Sequence, residues 1–558
     1  MTNQERERAR DIAPAGSTQP TASSAKRWRS MVVWLLLAAV LIALGWRRTN
    51  YISGTRPHID TGVYASGGAH VLAGRVLYRD VWDHKPPMIH VINCLALALG
   101  GHTIEAVRGA ERLFAVAGVL LMYLAVNEMF GSKPLAFFAG VVYLIQLFDP
   151  RVLQGGNFTE EYAVVFVLGG ICAAWFARRL VRRSPAQRDE GGSLGEGGRA
   201  RSAPGIAGFG LLALSGLLFC LAALTKEPFA LSSLPWFVYA CLAVRGSWGK
   251  RAARSAAFAV GVIAPVLLFS LYFLAHGALG DWAGEVTFNF AYAGLSKPFL
   301  QRTLGNASAA FAATGVLRTA QIFACLGIAS VFSRSFLRRS GYLPLVAVAQ
   351  LCLDFFATEI SGLYYGHYYM QLVPALVLTM ICGLAFGADV LRRTGAPAAT
   401  LLLPLAAMLI FTDGGALRLV GRGLTLPMLR YEGTPLAREI DELTAPGDPV
   451  WITAHRNCSA YFESRRLSPT KWYYTNKRLF IDSWGSTKEQ KIAELRAQLG
   501  RCPPKLIVTD QTSAELLQRL GVMAWINSDY APSESGTPEL TIWMRKAPGP
   551  SDLRGSQR

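Results

Sequence analysis

The sequence predicts an α-helical polytopic membrane protein of about eleven transmembrane helices with a small external C-terminal α/β domain, and three observations carry that prediction. Between residues 31 and 413, apolar segments of about 17–25 residues recur almost without charge, the length a helix needs to cross a hydrocarbon core of ~30 Å. The arginines and lysines between them gather in short clusters, which is how orientation is set in a membrane. From about Gly414 the charge returns and apolar runs shorten to strand length.

Taken in order, residues 1–30 are polar and rich in Arg, Ser and Ala, and read as a disordered cytoplasmic tail. The segment 31–46 has no small-residue cleavage site, so it reads as an uncleaved first span. Residues 31–413 form the transmembrane domain, with the spans predicted at 31–46, 106–127, 135–148, 161–177, 205–224, 229–244, 255–275, 310–332, 341–357, 369–390 and 397–413. Arg178–Pro204 carries seven Arg against three acids and, with Arg245–Arg254, Arg334–Arg339 and Arg392–Arg393, is placed inside. That placement fixes Pro87–Gly100, 14 apolar residues, as a helix lying at the external interface, because counting it as a span would turn the Arg178 cluster outward. The external loops are then 47–105, 149–160, 276–309 and 359–368. Residues 414–558 alternate strand-like runs (Pro449–Thr453, Lys505–Thr509, Val522–Ile526, Leu540–Met544) with helical patterns (Pro435–Leu443, Thr487–Leu499, Ser513–Leu520), which predicts an external α/β domain.

The net charge of +19 does not indicate nucleic acid, since no patch interleaves aromatics with Lys and Arg. Seven of nine cysteines lie in apolar segments and read as packing residues. Cys458 and Cys502 lie in the polar C-terminal part, where an external location permits a disulfide.

The chemistry-bearing stretch is His58–Pro87, which holds Asp60, Asp80, Asp83, Lys85 and three histidines within the first external loop. Asp60, Tyr64, Gly67 and Gly68 share one helical face; Asp60 reads either as an N-cap or as a general base. Lys85, in His84-Lys85-Pro86-Pro87, reads as a lipid-headgroup contact or as the ligand of one particular phosphate. Thr159-Glu160-Glu161 puts two carboxylates at the mouth of a span, where they are solvated loop charge or functional. Thr225-Lys226-Glu227-Pro228 is a turn or a second cation for phosphate, with Lys297 and Arg302 weaker candidates of the same kind. Gly362-Leu363-Tyr364-Tyr365-Gly366-His367-Tyr368-Tyr369 is an interfacial aromatic belt or the lining of a lipid-substrate pocket. No P-loop, Asp-x-Asp or His-Glu-x-x-His is present.

Asp60, the run Gly74-x-x-x-Tyr78-x-Asp80 and Lys85-Pro86-Pro87 before a short apolar helix resemble the GT-C membrane glycosyltransferases, closest to the family 39 type of protein O-mannosyltransferases and lipid A aminoarabinose transferases. Arg108/Arg112, Thr159-Glu160, Thr225-Lys226 and His367-Tyr368-Tyr369 agree with it, and the resemblance spans roughly residues 31–415. It implies sugar transfer from a polyprenyl-phosphate donor to a lipid, glycan or protein hydroxyl at the external face of a bacterial inner membrane. It makes Asp60 and Glu160 the catalytic residues, with Tyr64, Asp80, His84, Lys85, Glu161, Lys226, Tyr365 and His367 as substrate contacts. Glu160-Glu161 stands where some relatives show Asp, which leaves open which carboxylate acts. No cofactor is expected, with a divalent metal left open. The rival reading is a transporter or flippase of lipid-linked sugars, against which stand the missing inverted repeat and the large polar first loop.

Overall fold

A computed structural model describes residues 22–52, 57–183, 204–244, 246–294, 298–315, 318–360, 362–395, 425–476, 487–533 and 537–546, with isolated positions at 415, 418, 421 and 422. The expected span at 397–413, Lys297 and most of the Arg178–Pro204 loop lie outside the described residues.

Among the described residues, six helical segments are long and apolar enough to cross a membrane: Met31–Asn50, Ile104–Phe130, Thr159–Val181, Ile206–Thr225, Trp248–Ala275 and Gly366–Arg393. They belong to helices α1 (Ala22–Arg47), α4 (Ile104–Phe130), α6 (Thr159–Arg183), α7 (Pro204–Thr225), α8 (Trp248–Ala275) and α13 (Val373–Arg393, entered through a 3-10 turn at Gly366–Leu372). The shorter members are α2 (Ile59–Leu72), α3 (Met88–Gly100), α5 (Lys133–Phe148), α9 (Leu279–Gly294), α10 (Phe299–Ala313), α11 (Arg318–Ala329) and α12 (Leu343–Glu359). Helix α1 starts at Ala22, inside the segment expected to be disordered, because Ala-Lys-Arg-Trp-Arg continues the helix at little cost.

Two expected spans are broken. At 229–244 the chain runs through a 3-10 stretch (Glu227–Ser232), one α-turn (Ser233–Phe237) and an i→i+5 turn closed by Ala243 N donating to Val238 O at 2.8 Å. Pro228 and Pro235 remove the amides that a continuous helix needs. At 310–332 the chain breaks after Ala313, where Thr314 donates its hydroxyl back to Ala310 O at 2.8 Å, and resumes at Arg318. Helix α3, at 13 residues, is about 20 Å long and too short to span, as expected of an interfacial segment.

Helix α6 forms the bundle centre, buried at Tyr162, Ala163, Val164, Leu168, Ile171 and Ala174. Helices α7 and α8 meet at Gly216 and Gly261, where a side chain at Gly261 would collide with Ala213 O; small residues replace hydrophobic burial as the glue between spans.

Residues 435–546 carry a four-stranded sheet in the order β1-β2-β4-β3: β1 (Val450–Ile452) parallel to β2 (Leu506–Asp510), with β4 (Leu540–Arg545) antiparallel to β2 and to β3 (Tyr530–Ser533). Helices α14 (Pro435–Leu443), α15 (Lys488–Arg501), α16 (Gln511–Arg519) and α17 (Met523–Asp529) accompany it. The strand expected at Val522–Ile526 is instead α17: Met523 and Ile526 are buried three residues apart, a helical spacing that so short an apolar run does not reveal. The true third strand sits at the sheet edge, where its Pro532 needs no ladder partner. Cys458 is buried, Cys502 is exposed, and both are free thiols, so no disulfide joins them.

Candidate active site

The sheet-bearing region docks on the membrane bundle through α2. Ser66 Oγ donates to Cys458 O (2.5 Å), Tyr473 Oη to Val63 O (3.0 Å) and Ser468 N to His70 Nε2 (2.9 Å). The other side of α2 lies on α3, where Gly68 allows a close approach: a Cβ there would sit 2.8 Å from Cys94 N. Covered on both sides, α2 carries small residues all round (Ala65, Ser66, Gly67, Gly68, Ala69) rather than an amphipathic pattern.

At the N-terminus of α2 opens a cavity of about 780 Å³. His58 caps the helix, its Nδ1 accepting from Asp60 N at 3.2 Å. The cap role that Asp60 competed for is thus filled. Among the described residues the Asp60 carboxylate accepts no hydrogen bond and forms no ion pair, and it faces the cavity in the first helical turn.

Eight of the ten expected site residues line this cavity: Asp60, Tyr64, His84, Lys85, Glu160, Lys226, Tyr365 and His367. Glu160 is ion-paired to Lys226 and accepts from Thr159 Oγ1 at 2.7 Å. Lys226 Nζ also lies 3.5 Å from the Tyr368 ring centroid. Burial pushes the Lys226 ammonium down to about 8, against the upward pull of Glu160. His367 stacks on Phe158 at 4.1 Å and its Nδ1 is 2.7 Å from Gln154 Oε1.

Asp80 and Glu161 do not line the cavity. Asp80 closes its own turn: Oδ2 accepts from Val76 N (2.9 Å) and from Arg79 (2.7 Å). The Gly74-to-Asp80 run is thus a structural clamp, and Tyr78 Oη, in a backbone at φ 70°, donates to Lys85 O at 2.9 Å. Glu161 points beneath the site, paired with buried Arg48 at 2.6 Å and accepting from Asn157 N at 3.0 Å. Arg112 belongs to the same layer, donating to Thr49 Oγ1 at 2.6 Å.

The acid that organises the loop is Asp83, wholly buried, with His84 Nδ1 and His90 Nε2 each 3.1 Å away and Tyr474 Oη donating at 3.4 Å. Burial alone would raise its carboxyl, but the two imidazoles hold it well below the ordinary range. His84 is shifted down by burial and by Lys85.

A second cavity of about 530 Å³ adjoins the first and shares His84, Lys85, Lys226 and Tyr368 with it. Its remaining wall is largely apolar, with Pro228, Ala230, Leu231, Val286, Ala357 and Ile360. Asn289 of α9 closes it, donating to His84 O and to Glu227 Oε1 at 2.7 Å each. Sequence reasoning missed His455, Tyr474 and Asn476, which line the larger cavity from the C-terminal region; the only available signal was their polar-aromatic character.

An acid-bearing helix returned from the first loop to the mouth of a helical bundle, under a C-terminal α/β region, makes this a polytopic helical membrane protein whose architecture recurs in solved structures. The solved structures agree. The chain is similar to ArnT from Cupriavidus metallidurans in the apo state, with TM-score 0.55 and 15% identity over 93% of this chain and 98% of that one. It is similar to the same protein bound to undecaprenyl phosphate, with TM-score 0.55 and 15% identity over 92% and 98%. It also resembles the Archaeoglobus fulgidus oligosaccharyltransferase tethered with an acceptor peptide, with TM-score 0.50 and 11% identity over 93% and 75%. No protein-family model matches the chain and no curated protein matches it in sequence.

Proposed function

We propose that this chain transfers a sugar from a polyprenyl-phosphate donor to a hydroxyl acceptor, in one inverting displacement with Asp60 as general base. The observation that carries the reading is the meeting of an uncommitted carboxylate, Asp60, with two lysines, Lys85 and Lys226, that also line an apolar cavity. A lipid phosphate has that composite chemistry: an anionic head for the lysines and an apolar chain for the adjoining wall. The similar ArnT structure bound to undecaprenyl phosphate supports this choice of donor.

In the proposed step the acceptor oxygen forms a bond to the anomeric carbon while its proton passes to Asp60. The bond from that carbon to the phosphate oxygen breaks, its electron pair leaves with the lipid phosphate, and Lys85 and Lys226 neutralise the growing charge. Glu160 keeps Lys226 in place instead of taking the proton, because both its oxygens are engaged.

Helix α6 starts at the cavity-lining Thr159, α7 ends one residue before the cavity-lining Lys226, and α13 follows the 3-10 turn that carries His367 and Tyr368. Their opposite ends lead to Arg178–Arg183, Pro204 and Arg392–Arg393. With those arginines inside, the site faces outward, and the reading places it on the external face of a bacterial inner membrane.

The test is sugar release or transfer from a radiolabelled polyprenyl-phosphate sugar by purified protein, wild type against Asp60→Asn. His58 provides the helix cap, so the variant should fold normally while turnover falls at least about 100-fold. Donor binding by both proteins with turnover by neither would favour a transporter of lipid-linked sugars.

A further inference from the structure

The donor as placed above occupies two walls of the cavity and leaves a third. With its phosphate on Lys85 and Lys226 and its chain in the apolar cavity, the donor presents its sugar toward Asp60. An in-line displacement then requires the acceptor to come from the side away from the lysines. The C-terminal region supplies that side. His455 and Tyr474 line the larger cavity and are absent from the wall shared with the apolar one.

The two rings are stacked, 5.1 Å between centroids at 17°. Tyr474 is buried and anchored through its hydroxyl to Asp83 at 3.4 Å, so it backs the His455 ring, which is half-buried. Among the described residues neither His455 ring nitrogen has a hydrogen-bond partner. Burial pushes the imidazole down to about 4, against Asp60, Asp510 and Asp83, which pull it up. It is therefore neutral near pH 7, one nitrogen able to accept and the other to donate.

We propose that His455, backed by Tyr474, forms the acceptor subsite, and that the acceptor it takes is a saccharide. A flat ring with a hydrogen-bonding edge matches a sugar, whose C–H face stacks on aromatics while its hydroxyls seek donors and acceptors. An extended peptide would call for a free strand edge, and the edge strand β1 has its outward amides taken, Val450 N donating to Leu467 O at 3.1 Å and Ile452 N to Tyr461 Oη at 2.7 Å. Asp83 is the positioning residue of this subsite. It touches Tyr474 on one side and His84, the neighbour of Lys85, on the other, and so sets the distance between acceptor and donor walls.

This inference rests on the proposed transferase reading, and the experiment separates the two. Purified full-length protein is given the labelled polyprenyl-phosphate sugar with an alkyl glucoside or a serine-containing peptide as acceptor. Wild type should prefer the glucoside. His455→Phe, which keeps the ring, and His455→Gln, which keeps a polar edge, should each raise the ratio of acceptor KM to donor KM, by about tenfold for the more damaging of the two. Thermal unfolding of each variant guards against misfolding. An unchanged ratio in both variants overturns the subsite while leaving the transferase standing. Preference for the peptide overturns the saccharide class. If wild type neither transfers nor hydrolyses any donor, the transferase reading fails and the subsite falls with it.

Discussion

Neighbouring carboxylates in this chain have opposite fates, and the side-chain partners decide them. Asp60 has none among the described residues, whereas Glu160 holds Lys226 and Glu161 holds Arg48. Glu160 and Glu161 are consecutive on α6, so their side chains diverge by about 100° around the helix; one faces the cavity and the other the layer beneath. The sequence makes both visible as carboxylates at the mouth of a span and does not say which partner each will meet. The Lys226–Glu160 pair has a measurable signature. Lys226 is cationic below about 8 and neutral above, so donor KM should rise as pH climbs through that value. Lys226→Arg should remove the alkaline rise, because a guanidinium stays charged. Glu160→Gln should move the rise to lower pH, since it deletes the charge that pulls the Lys226 ammonium upward. If Glu160 were instead the base, that variant would abolish turnover at every pH.

At the scale of elements, α2 is both the best-read and the least-read part of the chain. Its start, its acid and its glycine face were legible, because they lie within one turn or two of each other. What covers it was not legible. Tyr473 and Val63 are 410 positions apart, and no local period reports a contact of that span. The same limit explains Asp80 and Asp83, three residues apart in one loop, of which the wholly buried one organises the site. Gly68 should be intolerant of any side chain, because a Cβ there meets the α3 backbone at Cys94. Gly68→Ala is expected to cost about 1–3 kcal/mol and to lower turnover by shifting Asp60; thermal unfolding and the radiolabel assay together check it.

For the whole molecule, the C-terminal region is joined to the bundle by groups that tolerate acid poorly. Burial pushes His70 and His455 down to about 4, below the ordinary value near 6.5 of an unfolded chain. The stabilisation that depends on their neutral forms is complete above about 6.5 and is lost as pH falls from there toward about 4. His70 accepts from Ser468 N across the junction, so its protonation removes that bond. The protection factors of residues 450–476 against hydrogen exchange, taken relative to the intrinsic rate at each pH, should therefore fall between neutral pH and about pH 5, while the spans stay protected. His70→Gln should flatten that dependence.

The covering of α2 has a consequence in time as well as in space. A ribosome makes Asp60 early and Tyr474 more than four hundred residues later. The helix that carries Asp60 gains its second face only after α13 and the described spans before it have been made. A copy stopped after α13 would hold the described spans and still lack His455, Tyr474 and the rest of the cover over α2, so on the proposed reading it would transfer no sugar.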